Sequence, residues 1–135
     1  MMTTKLDRPQ EVELAPPDAV LLAFSNAPDI DQAKAIAQAL VEERLAACVN
    51  LLAPCQSVYR WQGAIEQATE VPMIIKTTRR RWPALQARLQ ELHPHEVPEL
   101  IALAPAALLP SYSAWVINET REPAARRRPA SLTPK

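Results

Sequence analysis

The chain has 135 residues, 48% of them hydrophobic, with 15 basic side chains against 15 acidic ones. That length supports one domain with one core, and a formal net charge of zero leaves no long-range field to gather nucleic acid or anionic lipid. No stretch is apolar for long enough to make a membrane span, and the mixed-charge opening with Lys5, Asp7, Arg8, Glu11 and Glu13 has no apolar signal segment. Cys48 and Cys55 are too few for a disulfide framework, so reduced thiols and a cytoplasmic setting are expected. Seven residues of extended chain between them span about 23 Å, whereas a disulfide needs Cα atoms about 5–6 Å apart, so no bridge is expected.

Residues 1–17, polar and ending in Pro16-Pro17, read as a disordered arm. Residues 19–24 form a short apolar run that suits a strand buried on both faces. Asn26 or Asp29 then caps a helix whose one face carries Ala33, Ile36, Ala37, Leu40 and Val41 as far as about Leu45. Two extended runs follow, 47–59 and 65–78, separated by a segment with Gly63, the only glycine of the chain. A lone glycine between strands marks a turn that needs its backbone freedom. Pro54 and Pro72 each require a bulge or an edge position. The hairpin is long for so small a domain, so part of it projects and needs a cover. Trp82, Leu85, Leu89 and Leu92 mark a second helix, with Pro83 in its first turn and Pro94 ending it. Residues 99–104 make a last strand, and 111–121 a short helix with Tyr112, Trp115 and Val116 on one side. Residues 122–135, with Arg126, Arg127 and Arg128, read as a disordered basic tail.

The order β-α-β-β-α-β plus a helix predicts an α/β (α+β), ferredoxin-like sandwich over 18–121. Five segments in sequence also resemble the CutA family of divalent-cation tolerance proteins. They are Asn26-Ala27-Pro28-Asp29, Glu43 to Asn50, Tyr59-Arg60-Trp61-Gln62-Gly63, Glu70 to Thr77, and His93 to Leu100, with Tyr112 and Trp115 matching the last helix. The resemblance implies a homotrimer in which long hairpins pair between subunits. It also implies copper ligands: a Cys just after the first strand and two adjacent His. Here Ser25, Leu92 and His93 hold those places, and His95 stands where the family usually has Tyr.

His93 and His95, two residues apart beside Glu96 and Glu99, are the candidate metal ligands, for weak binding of copper or another divalent cation. The plainer reading is a helix end and a surface loop. Lys76 interrupts an apolar strand and finds a partner in Glu99 or in solvent. Trp61 at the hairpin turn is a candidate interface anchor, and Tyr112 and Trp115 complete the pocket or interface set. Cys48 reads as a structural thiol. Arg79-Arg80-Arg81 and Arg126-Arg127-Arg128 are solvated runs, so no nucleic-acid partner is expected. One glycine excludes most phosphate cradles. The expected function is a non-enzymatic trimeric binding protein of divalent-metal (copper) tolerance. Its architecture is similar to PII-type signalling proteins, which implies a small-molecule- or metal-responsive regulator. The rival is an enzyme with an inter-subunit site built from Lys76, Glu99 and His93.

Overall fold

The structure, a computed structural model, describes residues 16–122. Apart from Pro16, Pro17 and Glu122, the two expected arms lie outside the described residues. The elements are β1 (Val20–Ala27), α1 (Ile30–Glu42), β2 (Cys48–Leu51), β3 (Cys55–Trp61), β4 (Ala64–Thr78), α2 (Trp82–Leu92), β5 (Ile101–Leu103) and α3 (Pro110–Glu119). The sheet order is β2-β4-β1-β5, with β3 paired to the first half of β4, and every pairing is antiparallel. This is the ferredoxin-like sandwich the element order predicts.

Local chemistry sets most boundaries. Asp29 caps α1 by accepting a hydrogen bond from the Gln32 backbone N–H at 2.8 Å, so the cap is Asp29 and Asn26 stays in β1. Helix α1 stops at Glu42 because Arg44 turns left-handed at φ 60°. Pro83 enters the first turn of α2 without cost, since that N–H needs no helical partner. The hairpin loop is only Gln62-Gly63, at φ 49° and 84°. Two consecutive positive φ values make the turn whose twist matches the flanking strands. Trp61 is therefore the last residue of β3.

The expected strand over 47–59 is broken in two. Leu52, Ala53 and Pro54 leave the ladder, while the Leu52 N–H donates to the Pro72 carbonyl at 2.9 Å. Pro72 marks the place where β4 changes partner, from β3 to β2 and β1. With no N–H to offer, a proline is tolerated at such a junction. The last strand is shorter than the expected 99–104.

Alternation assigns the two faces. Ala23, Ser25, Ala27, Val71, Met73, Ile75 and Thr77 are buried beneath the helices. The apolar ones among them join Ala33, Ile36, Leu40, Leu85 and Leu89 in one core. At about 1.5–3 kcal/mol per large apolar side chain, this helix-covered face is the main source of stability. The other parity, Leu22, Phe24, Asn26, Pro72, Ile74 and Lys76, is only half-buried. Its β5 neighbours Ile101 and Leu103 are 52% and 54% exposed. At one end of this face α3 packs against β4 and β1, and there Val20, Thr78, Val116 and Thr120 are buried.

Side-chain bonds tie the helices to the sheet corner. The Thr77 hydroxyl donates to the Leu45 carbonyl at 2.7 Å. Arg81 donates to the Arg44 carbonyl and pairs with Glu122 at 2.8 Å. Arg88 holds Glu43, which joins α2 to the end of α1.

Candidate functional site

The projecting hairpin and the segment between α2 and β5 enclose an open cleft of about 760 Å³. One wall is Ser57, Val58, Tyr59, Trp61 and Gln62, the other is Pro94, His95, Glu96 and Val97, and Asn26, Glu70 and Glu99 complete it. Tyr59 and Trp61 share a parity on β3 with Ser57, and all three line the cleft.

Two linked bonds fix the second wall. The Ser25 hydroxyl donates to the Glu99 backbone carbonyl at 2.6 Å, and the Asn26 amide donates to the Glu99 carboxylate at 2.8 Å. The Glu99 carboxyl titrates above its ordinary value. Partial burial is the main cause, the Glu70 charge adds to it, and the Asn26 bond opposes both.

His93 is 6% exposed and closes the base of the segment. Its Nε2 bonds the Asn26 carbonyl at 2.6 Å, while its Nδ1 lies 3.0 Å from the His95 backbone N–H. A carbonyl only accepts and an amide N–H only donates, so His93 is the neutral Nε2–H tautomer with both nitrogens engaged. The expected pair of free imidazoles is therefore not present. The rings lie 4.9 Å apart, yet only His95 is exposed and lines the cleft. Ser25 is buried and committed to Glu99, and Leu92 offers no donor. Among the described residues no three His, Cys, Asp or Glu side chains group to hold a metal ion. The donor set does not fit the closed copper site that the resemblance implies.

The other singled-out residues separate into two groups. Trp61, Glu99 and His95 meet in the cleft, but Lys76, Tyr112 and Trp115 do not line it. Lys76 lies beside Leu22 and Cys48 in register, and its ammonium donates to the Asn50 side-chain carbonyl and approaches the Cys48 sulfur at 3.7 Å. Its expected partner Glu99 is instead bonded to Asn26, four residues along β1 from Leu22, or about 13 Å. The rival triad Lys76, Glu99 and His93 thus does not converge within one chain. Tyr112 and Trp115 pack ring to ring at 5.6 Å on the exposed side of α3. Both cysteines are free and half-buried, and Cys48 is not enclosed as a core thiol. Asn26, Tyr59 and Glu70 were missed as site residues, and Glu96 was named only as a neighbour of the two histidines. Strand parity from Trp61 was the signal that would have found Tyr59.

Fold and cleft together define a ferredoxin-like α/β domain with a projecting hairpin and an acidic, aromatic-walled cleft beside it. The profile of the family described as CutA1 divalent ion tolerance protein matches residues 21–119. Protein CutA of Mus musculus is 47% identical over 104 residues, which is 77% of this chain and 59% of that protein. The chain thus spans about 59% of the mouse protein's length. The divalent-cation tolerance protein CutA of Thermus thermophilus is 44% identical over 93 residues, 69% of this chain and 90% of its own. Among solved structures, CutA of Xylella fastidiosa superposes with a TM-score of 0.74 at 44% identity, covering 76% of this chain and 98% of its own. This chain belongs to the CutA1 divalent ion tolerance family.

The relatives correct the expected compartment. A CutA structure from Archaeoglobus fulgidus, 31% identical, is described as periplasmic, and an Arabidopsis thaliana relative, 34% identical, as chloroplastic. Reduced cysteines are compatible with several compartments, so two thiols did not suffice to assign the cytoplasm.

Proposed function

We propose that this protein is a non-enzymatic homotrimer that binds ligands in divalent-cation tolerance, as a metal- or small-molecule-responsive regulator. One observation carries the trimer. The sheet face opposite α1 and α2, with Leu22, Phe24, Ile74, Ile101 and Leu103, is covered among the described residues only at its α3 end and continues onto a hairpin whose Val58, Tyr59, Trp61 and Ile65 are exposed. Apolar surface of that extent marks an interface. A chain whose projecting element covers the next copy makes a head-to-tail contact, and such contacts form a ring where the rotation closes. Copper has a minor role, bound weakly through the exposed His95, because His93 is spent inside the fold. The family name, which speaks of tolerance, supports a binding role over a catalytic one.

The test is sedimentation equilibrium at micromolar concentration, on the wild type and on Trp61→Ala. The expected outcome is a trimer mass for the wild type and a weakened trimer with unchanged far-UV circular dichroism for the variant. A monomeric wild type would refute the assembly.

A further inference from the structure

We propose that an ion pair between Lys76 of one copy and Glu66 of the partner subunit fixes the register of the interface between copies. The inference rests on the trimer proposed above. The need for it comes from Lys76, the only charged residue that strand register places in the main sheet on the face of Leu22, Phe24 and Ile74. Lys76 is half-buried, its ammonium donates to the Asn50 side-chain carbonyl, and it lies 3.7 Å from the Cys48 sulfur. It is in no salt bridge among the described residues. An amide is neutral and a thiol is a weak acceptor. A second copy laid on this face takes the ammonium out of water, which is costly unless a carboxylate comes with the cover.

The hairpin brings one. Glu66 stands opposite Tyr59 in register, and Ala64 stands opposite Trp61. Alternation along the continuous strand β4 gives Glu66 the parity of Ile74 and Lys76. Glu66 is exposed and in no ion pair among the described residues. Arg60 has the opposite parity on β3 from Tyr59 and Trp61, so no cation of the hairpin ladder shares the side of Glu66. Glu70 has the right parity but sits at the hairpin base, where it lines the cleft with Asn26 and Glu99.

The two surfaces match in spacing. In the sheet Lys76 stands opposite Leu22 and Ile74 opposite Phe24, as in the hairpin Glu66 stands opposite Tyr59 and Ala64 opposite Trp61. Such cross-strand neighbours have Cβ atoms about 5 Å apart. A contact that sets the two rings on Leu22 and Phe24 therefore sets Glu66 against Lys76. Facing sheets lie about 10 Å apart, a gap that a Lys and a Glu side chain span together. Within one chain the pair cannot form, because ten residues of the same strand, about 33 Å, separate its members. Only a second copy brings the carboxylate to the ammonium.

The experiment is sedimentation equilibrium of the full chain over a concentration series, with far-UV circular dichroism checked for each variant. The variants are Lys76→Glu, Glu66→Lys and the double reversal that carries both. A trimer is expected for the wild type. Each single reversal sets like charges against each other and is expected to weaken association by at least roughly tenfold. The double reversal restores opposite charges and is expected to regain most of that loss. Glu42→Lys, on α1 at the other side of the sheet, is expected to associate as the wild type does. Should Lys76→Glu not fold, Lys76→Met and Glu66→Gln take the place of the reversals. The loss caused by Glu66→Gln is then expected to vanish in the Lys76→Met background. Single reversals that leave association unchanged, or a double reversal no stronger than the singles, would overturn the pair and leave the trimer standing. A monomeric wild type would overturn both.

Discussion

The strand β4 crosses two environments. Its second half, residues 71–78, lies between β2 and β1 with helices on one face, and burial alternates residue by residue until Thr77 and Thr78. Its first half, residues 64–70, pairs only with β3 and has no buried residue, with Ala68 and Glu70 half-buried and the others exposed. Backbone pairing is continuous along both halves. The difference teaches that the ladder sets the shape of this strand, whereas burial, where a second layer supplies it, sets the stability. A two-stranded ribbon alone is marginal in water, so the hairpin is held at its base and by whatever covers its apolar residues.

Four tests, with six substitutions between them, sharpen or break that comparison. The largest effect is expected in the helix-covered half. Leu89→Ala removes a fully buried side chain from the core and is expected to cost about 2–5 kcal/mol in urea unfolding. The hairpin change Val58→Ala, at a residue 66% exposed, is expected to stay within about 0.5 kcal/mol for the dissociated chain. Equal costs would abolish the distinction.

His93→Ala comes next. It strands the buried end of β1 and frees the His95 segment from its anchor, with an expected loss of about 1–3 kcal/mol. His95→Ala is expected to cost far less and to remove weak copper binding. Calorimetric copper titration and thermal unfolding of both variants measure this. A harmless His93→Ala would mean that its two hydrogen bonds add no stability.

Gly63→Ala isolates backbone conformation. A Cβ there meets nothing within 4 Å, and φ is +84°, so the expected cost of about 1 kcal/mol is conformational strain alone. Hydrogen exchange of β3 amides should show the loss concentrated in the hairpin, with the main sheet unaffected.

The smallest effect concerns pH. The folded-state pKa of Glu99 lies above its ordinary value, so the native state holds that proton more tightly than the unfolded chain. The stability from this group is full in acid, below the unfolded pKa, and is lost as pH rises through the folded pKa. Glu99→Gln keeps the acceptor for Asn26 and removes the charge. It is expected to melt no lower than the wild type at neutral pH, with the difference shrinking toward about pH 4. A variant that melts lower at neutral pH would show the carboxylate charge to be stabilising.

Much of the covered half was legible in the residues. Ala33, Ile36 and Leu40 repeat at helical spacing, and Leu85 and Leu89 do the same, because a helix can bury only one stripe. Gly63 marked the turn because few other residues tolerate its φ. The site was less legible. Lys76 was assigned Glu99 or solvent as its partner, yet strand register sets it beside Asn50 and Cys48. The pairing of β4 with β2 shifts across the break at Leu52 to Pro54, and no local pattern encodes which residues then stand opposite.

From the sequence by itself came the order of elements, the two helical stripes, the hairpin turn and, by resemblance, the family. These depend on neighbours within about one or two turns of chain, where residue type acts directly on backbone and periodicity. Only the tertiary structure decided that His93 spends both ring nitrogens on backbone groups, that the Asn26 amide meets the Glu99 carboxylate, and that Glu70, Glu96, Glu99, Tyr59 and Trp61 line one cleft. Apart from the bond between His93 and the neighbouring His95 N–H, those bring together residues far apart in the chain. Strand register and the approach of the 94–99 segment to the hairpin set them, and both are outcomes of packing the whole sheet at once.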